Sequence, residues 1–400
     1  MTLSSLRSAP AVPIRLGVNT PHRFYRGGGK ILAFRGLDVP DGFDGYRPED
    51  WLASTTRLFA EGGGGRTILP DGTDLASALG GDPVGWLGAD HAAAHGSEPN
   101  ILTKLLDAGE RLPVHSHPNR AFAARHLDCA HGKTEAWIVL DADPGAAVWL
   151  GFREDLPAER LAELVEAQDE GLLEALNRVE VTRGDTVLVP AGQPHAIGEG
   201  VFVLEIQEPT DLSVMLEHAR FGLEEAHAFL GLPRPVALDS VDRRRLGAER
   251  LAELRRTWTD VLGVASALPA EAAVFFRAEV VTATQQGPVV VPAGFAVTVV
   301  VDGAGTLTTT GATPTPTPVR CETAADTARE YIDPDGAERQ LAVRSGDVLL
   351  VPDAAGPVRV DGDVTLIRCL PPTPGPAPTT PTSQSSGPRV AQPSTDAGQA

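Results

Sequence analysis

Four side chains in this sequence could converge on one reaction centre. They are His115 and His117 in Leu112-Pro-Val-His-Ser-His-Pro118, Glu135 in Gly132-Lys-Thr-Glu-Ala-Trp137, and His195 after Gly184-Asp-Thr-Val-Leu-Val-Pro-Ala-Gly-Gln-Pro194. Side chains two apart on a strand share a face, so His115 and His117 aim into one cavity if Leu112 to Pro118 is extended. Pro113 and Pro118 disfavour a helix there. Glu135 opens an apolar strand-like run, Ala136 to Leu140, and His195 follows another, Thr186 to Val189, closed by a Pro-Ala-Gly turn. Two or three imidazoles with one carboxylate suit Zn²⁺, Fe²⁺ or Mn²⁺ and leave room for a water or a substrate oxygen. A lone His-x-His pair is weak, because strand histidines are commonly hydrogen-bonded core residues. The metal reading rests on the joint pattern: Gly-x5-His-x-His, an acid, then Gly-x5-Pro-x-Gly-x2-His. His126 and His131, in the connection, are expected in a solvated loop.

These half-motifs resemble the cupin superfamily, small β-barrels or jelly rolls that carry a metal inside the barrel. The acid stands eighteen residues after His117, within Gly-Lys-Thr-Glu-Ala-Trp. Together with Leu-Pro-Val-His-Ser-His-Pro before it, and with His195-Ala-Ile-Gly-Glu-Gly and Glu205-Ile-Gln after it, this resembles the type I mannose-6-phosphate isomerases. The resemblance implies an enzyme of carbohydrate metabolism that interconverts mannose 6-phosphate and fructose 6-phosphate with one Zn²⁺ per chain. It makes His117, Glu135 and His195 metal ligands, places His115 where the family usually has Gln, and makes Lys133 the catalytic cation or proton carrier. It also exposes a departure: Met215 occupies the slot of the family's active-site Arg, and Val214 that of its Tyr. Arg220 is the candidate replacement, with Arg120 and Arg153 as further possibilities. Three other readings compete: an isomerase of another, unphosphorylated sugar; an Fe²⁺ oxygenase, for which three His and one Glu also suffice; and a non-catalytic sugar-binding cupin.

The elements that must position these residues follow from pattern. Asn100 to Asp107 is an apolar strand candidate, and Ala136 to Leu140 and Ala146 to Leu150, joined by Asp143-Pro-Gly145, read as a hairpin. Leu161, Leu164 and Val165 repeat at helical spacing within an inserted helical pair, Asp155 to Asn177. Val179 to Val181, Thr186 to Val189, Val201 to Ile206 and Leu212 to Leu216 complete a first barrel; Glu224 to Leu230 and Arg243 to Trp258 read as connecting helices. Beyond Ala272 short β-runs return, and Gly346-x5-Pro352 repeats Gly184-x5-Pro190. No histidine follows His227. The expected fold is mainly β: two cupin-like barrels with helical insertions, the second degenerate and without metal. The expected division is 1–270, 271–370 and a disordered Pro/Thr/Ser-rich tail at 371–400.

Composition narrows the partners. A net charge of −19 argues against nucleic acid or an anionic membrane. With neither a run of about 18 apolar residues nor a signal-peptide core, the chain reads as cytoplasmic, a monomer or weak homo-oligomer with a small-molecule sugar phosphate as partner. Cys129, Cys321 and Cys369 are too scattered for a disulfide framework or a Cys metal site. Of 34 basic residues only Lys30, Lys104 and Lys133 are lysines. In so Arg-biased a chain, these three mark places where a compact ammonium is favoured, and two of them flank the His pair.

Overall fold

The computed structural model describes residues 8–58, 64–309, 331–332 and 339–373. Among them lie three antiparallel sheets. The first runs, in order, Arg255–Thr257, Asp185–Val189, Glu135–Ala142, Val201–Gln207, Leu102–Asp107 and Glu49–Leu52; the second runs Val214–Met215, His115–Ser116, His195–Ile197, Ala147–Phe152 and Leu176–Glu180. The two face each other across a common core in which Leu106, Trp137 and Val203 of one sheet meet Val148, Leu150 and Ile197 of the other. Each such side chain contributes roughly 1.5–3 kcal/mol on burial.

Period-2 alternation decides what faces that core. Val114, Ala196 and Val214 point away from it and pack with Leu161, Leu164 and Val165 of the helix Ala158–Ala167 and with Phe229 and Leu238. Their neighbours His115, His195 and Met215 therefore point inward. The helical insertion thus covers the outside of the second sheet.

A third sheet, nine-stranded among the described residues, is built on two long partners, Ala296–Thr309 and Val358–Leu370. Its other strands include Gly263–Ser266, Arg277–Ala283 and Val348–Val351, and Ile14–Arg15 from the start of the chain pairs with Leu349 and Leu350. It draws on residues from both sides of position 270. The mainly β, cupin-like architecture is as expected, with its second half free of histidine. The Thr313-Pro-Thr-Pro-Thr-Pro318 loop, the run Val319 to Thr323, Cys321 and residues 374–400 lie outside the described residues.

Two local expectations are corrected. The Asp143-Pro-Gly145 turn reverses the chain but makes no hairpin: Glu135–Ala142 pairs with Val201–Gln207 and Asp185–Val189, whereas Ala147–Phe152 pairs with Leu176–Glu180 and His195–Ile197. A turn signal fixes reversal, not which sheet the return strand joins. The helix expected over Arg243 to Trp258 shrinks to Ala248–Glu253, and Arg255–Thr257 adds a strand to Asp185–Val187. That edge needs main-chain partners, and Trp258, donating from Nε1 to the Val139 carbonyl, is buried beside it. The strand Glu49–Leu52 and the helix Gly29–Phe34 had no clear sequence signal.

The segment that leads from the N-terminus to the core is pinned by glycine. Gly27 has φ +150°, donates to the Gly45 carbonyl at 2.7 Å, and sits so close that a Cβ would collide with the Asp107 carbonyl and approach Pro48 at 2.9 Å. Asp107 in turn accepts from the backbone N–H groups of Gly28 and Lys30 at 2.8 and 2.9 Å. Gly27→Ala should destabilise the chain by about 2 kcal/mol or more. A urea midpoint equal to wild type would contradict this tight seating.

Candidate metal centre

His115 and His195 are directly opposite each other on neighbouring strands, and His117 follows two residues after His115. Their ring centroids lie 4.2–4.9 Å apart. One nitrogen from each falls within 4.8 Å of the others, and all three rings are buried. The orientation of each ring is set from behind by the main chain. Nδ1 of His115, His117 and His195 lies 2.8 Å from the carbonyls of Pro113, Leu212 and Gln193 respectively. A carbonyl only accepts, so Nδ1 carries the proton and Nε2 presents its lone pair inward. This is the arrangement of histidines that hold a metal.

Glu135 comes from the facing sheet. Its Oε2 lies 3.0 Å from His117 Nε2 and 3.1 Å from Lys133 Nζ, its Oε1 lies 3.3 Å from His195 Nε2, and Trp137 Nε1 donates to Oε1 at 2.9 Å. Even so, Glu135 Oε2 and His195 Nε2 are buried without an aligned hydrogen bond. Buried polar atoms normally have such partners, so three imidazole nitrogens and a carboxylate with orphaned atoms fit a small cation. Burial pushes the Glu135 pKa up, but Lys133 and His117 outweigh it and hold the carboxyl well below its usual range. Burial, reinforced by Lys133, lowers His117 to about 3. Burial, with His195 and His117 nearby, holds His115 well below its ordinary value. Neutral imidazoles are the form that binds metal.

A narrow cleft with a cavity volume of about 30 Å³ opens beside His115 and Glu135. A larger cavity of about 280 Å³, between Gly88–His91 and the third sheet, contains none of these residues. Lys133 lines the cleft, as does Met215, paired in register with His115. Arg220 does not: it is exposed, its guanidinium 5.8 Å from the Phe221 ring centre. Arg153 is exposed, and Arg120 pairs with Glu208 at 2.5 Å and lies over Phe275. The basic residues that do line the cleft besides Lys133 are Arg23 and Lys104. The scarcity of lysine pointed to Lys104, but nothing in the sequence pointed to Arg23, which the Gly27 turn brings in from far along the chain. Glu49, Lys104, Glu205 and Trp51 share the inner face through cross-strand pairing of Lys104 with both Trp51 and Glu205. His126 ends the helix Arg120–His126, and His131 is only partly exposed.

The lowered histidines make metal-free stability depend on pH. Between the ordinary value of 6.5 and about 3, the unfolded chain takes up protons that folded His115 and His117 refuse. Their contribution is present above 6.5 and is lost as pH falls through that window. Thermal melting of the metal-free chain should drop from about pH 7 to about pH 4, and by less in a His115→Gln, His117→Gln double variant. Equal drops would contradict the assignment.

No family model matches the chain. It is 33% identical over 194 residues to a mannose-6-phosphate isomerase of Streptococcus mutans, covering 48% of this chain and 56% of that protein. It is 38% identical over 116 residues to mannose-6-phosphate isomerase ManA of Bacillus subtilis, covering 29% of this chain and 36% of that one. The match thus spans about half the length, or less, of these curated relatives. In fold, the Bacillus subtilis mannose 6-phosphate isomerase crystal structure superposes with a TM-score of 0.62 at 19% identity, over 91% of this chain and 99% of that one. A mutant phosphomannose isomerase from Salmonella typhimurium gives 0.62 at 16% identity, over 90% and 100%. In partial sequence and in whole fold, this chain is similar to the mannose-6-phosphate isomerases of the cupin type.

Proposed function

We propose that this chain is a metal-dependent aldose–ketose isomerase that moves a proton between C1 and C2 of an open-chain sugar of the mannose–fructose type. The relatives' names give mannose 6-phosphate as their substrate. The observation that carries the reading is the convergence of three imidazole nitrogens and Glu135 beside a cleft that His115, Glu135 and Lys133 line. Three imidazole nitrogens and one carboxylate suit Zn²⁺, with His115, His117, His195 and Glu135 as its ligands. Zn²⁺ there would polarise the carbonyl and hydroxyl oxygens at C1 and C2 and stabilise the enediol-like charge between them.

The chain's own groups supply the rest. Lys133 Nζ, held 3.1 Å from Glu135 Oε2 and 3.0 Å from His117 Nε2, is the ammonium placed to carry a proton between the two carbons. Its backbone is fixed from both sides: Lys133 N–H donates to the Pro118 carbonyl, and Thr134 N–H donates to Glu208 Oε2 at 2.9 Å. The inner faces of the two sheets keep bulk water from the reacting carbons, which strengthens each charge interaction there. Every residue lining the cleft precedes position 216. This supports the division in which residues 1–270 carry the chemistry and 271–370 pack against them.

The test is turnover by the zinc-loaded full chain, with mannose and mannose 6-phosphate offered separately, before and after chelation. Conversion to the ketose that chelator abolishes and zinc restores is expected; no ketose from either sugar sinks the reading. Lys133→Ala should keep its metal and lose about 100-fold or more in kcat, the scale for a positioned acid–base group. Wild-type turnover in that variant would remove Lys133 from the chemistry.

A further inference from the structure

The larger cavity, about 280 Å³ between the helix start at Gly88 and the third sheet, shares no residue with the metal centre or the cleft beside it. Small-molecule pockets usually enclose roughly 300–1,000 Å³, so this one has room for a short ligand. Its titratable side chains are Asp90, His91, Arg277, Glu279, Asp353 and Arg368. Three of these offer a ligand no net charge. Arg368 is buried, stands opposite Glu279 in register and donates to it at 2.7 Å, while its Nη2 donates to the Pro292 carbonyl at 3.2 Å. His91 donates from Nε2 to the Glu98 carbonyl at 2.7 Å, and burial lowers its pKa, so at neutral pH it is uncharged.

One cation and two acids remain, at opposite ends of the cavity. Arg277 donates from Nε to the Pro371 carbonyl at 3.0 Å and meets no carboxylate among the described residues. Asp353 is half-buried, neither accepts a hydrogen bond nor meets a cation among the described residues, and burial raises its pKa. Its Oδ1 sits against the start of the helix Ala89–His95, where a Cβ on Gly88 would stand 3.0 Å away, and the exposed Asp90 follows in the first turn. Strand order sets the distance between these ends. Asp353 follows Val348–Val351 and Arg277 opens Arg277–Ala283, with Ala296–Thr309 and Val358–Leu370 between them. Three inter-strand spacings amount to roughly 14 Å. Two charge-assisted contacts of about 2.8 Å each leave about 8 Å between them, the span of a chain of several methylenes. Phe295 and Leu370, at the ends of the two intervening strands, give that span an apolar lining. An aliphatic stem loses water there, while a carboxylate at one end meets the guanidinium and an ammonium at the other meets the acids. A ligand with only one of the two charges leaves the opposite group unpaired.

We propose that this cavity binds a zwitterion whose carboxylate and ammonium stand at the two ends of an aliphatic stem, an ω-amino acid, with its carboxylate on Arg277 and its ammonium on Asp353. Such binding needs neither the metal nor turnover, so its failure leaves the isomerase reading untouched. Calorimetric titration of the full chain with 6-aminohexanoate, at neutral pH and fixed ionic strength, should saturate at one ligand per chain. Hexanoate and hexylamine, with one charge each, and glycine, with its two charges adjacent, should bind at least about 10-fold more weakly. Arg277→Gln and Asp353→Asn should each weaken 6-aminohexanoate by about 10-fold or more. The proposal is overturned by the absence of saturable 6-aminohexanoate binding, by equally tight binding of any of the other three compounds, or by unaltered binding in both folded variants. Should a variant fail to fold, the four compounds on the wild-type chain decide.

Discussion

Everything in the first half of the molecule depends on three hydrogen bonds that face away from the site. Nδ1 of His115, His117 and His195 each meets a main-chain carbonyl at 2.8 Å, which fixes ring rotation and tautomer together. Without those bonds three buried imidazoles 4.2–4.9 Å apart would rotate to satisfy one another. With them, the only lone pairs left point into one small volume. Glu135, braced by Trp137, closes that volume from the opposite sheet. The site therefore needs both sheets, and the sheets need the helical layer that buries Val114, Ala196 and Val214.

The donors were legible in the sequence because strand alternation and glycine–proline punctuation are short-range signals. His-x-His between prolines has one extended solution, and Pro-Ala-Gly stops a strand abruptly before His195. Lys104 was legible through rarity: both it and Lys133 line the cleft, while Lys30 bridges Asp141 and Asp143 at the surface. What could not be read was long-range. Arg23 reaches the cleft through contacts that no short-range signal shows: its N–H donates to the Tyr46 carbonyl at 2.9 Å, and Gly27 beside it packs tightly against Asp107, some eighty positions away. Arg220, chosen for its nearness to Met215 in sequence, is carried outward by the short helix Ala219–Phe221. The Asp-Pro-Gly turn after Ala142 fails as a hairpin signal for the same reason, since sheet membership is decided by distant strands.

The charges around the cleft explain why so polar an interior is tolerated. Glu49 is held below its usual range because Arg23 and Lys104 outweigh the burial that opposes it, and Tyr25 and Trp51 donate to it as well. Burial, with Glu135 nearby, instead raises Glu205, against the pull of Lys104. A buried network of this kind stands only if its members satisfy one another.

The central claim is that the three imidazoles present Nε2 together as metal donors. Nitrogen-15 NMR of the histidine side chains addresses it directly. The metal-free chain should show Nδ1–H tautomers for His115, His117 and His195 at neutral pH. One equivalent of Zn²⁺ should shift all three Nε2 resonances at once and leave Nδ1 protonated. Nε2–H tautomers, or three resonances that stay unmoved as zinc is added, would contradict it.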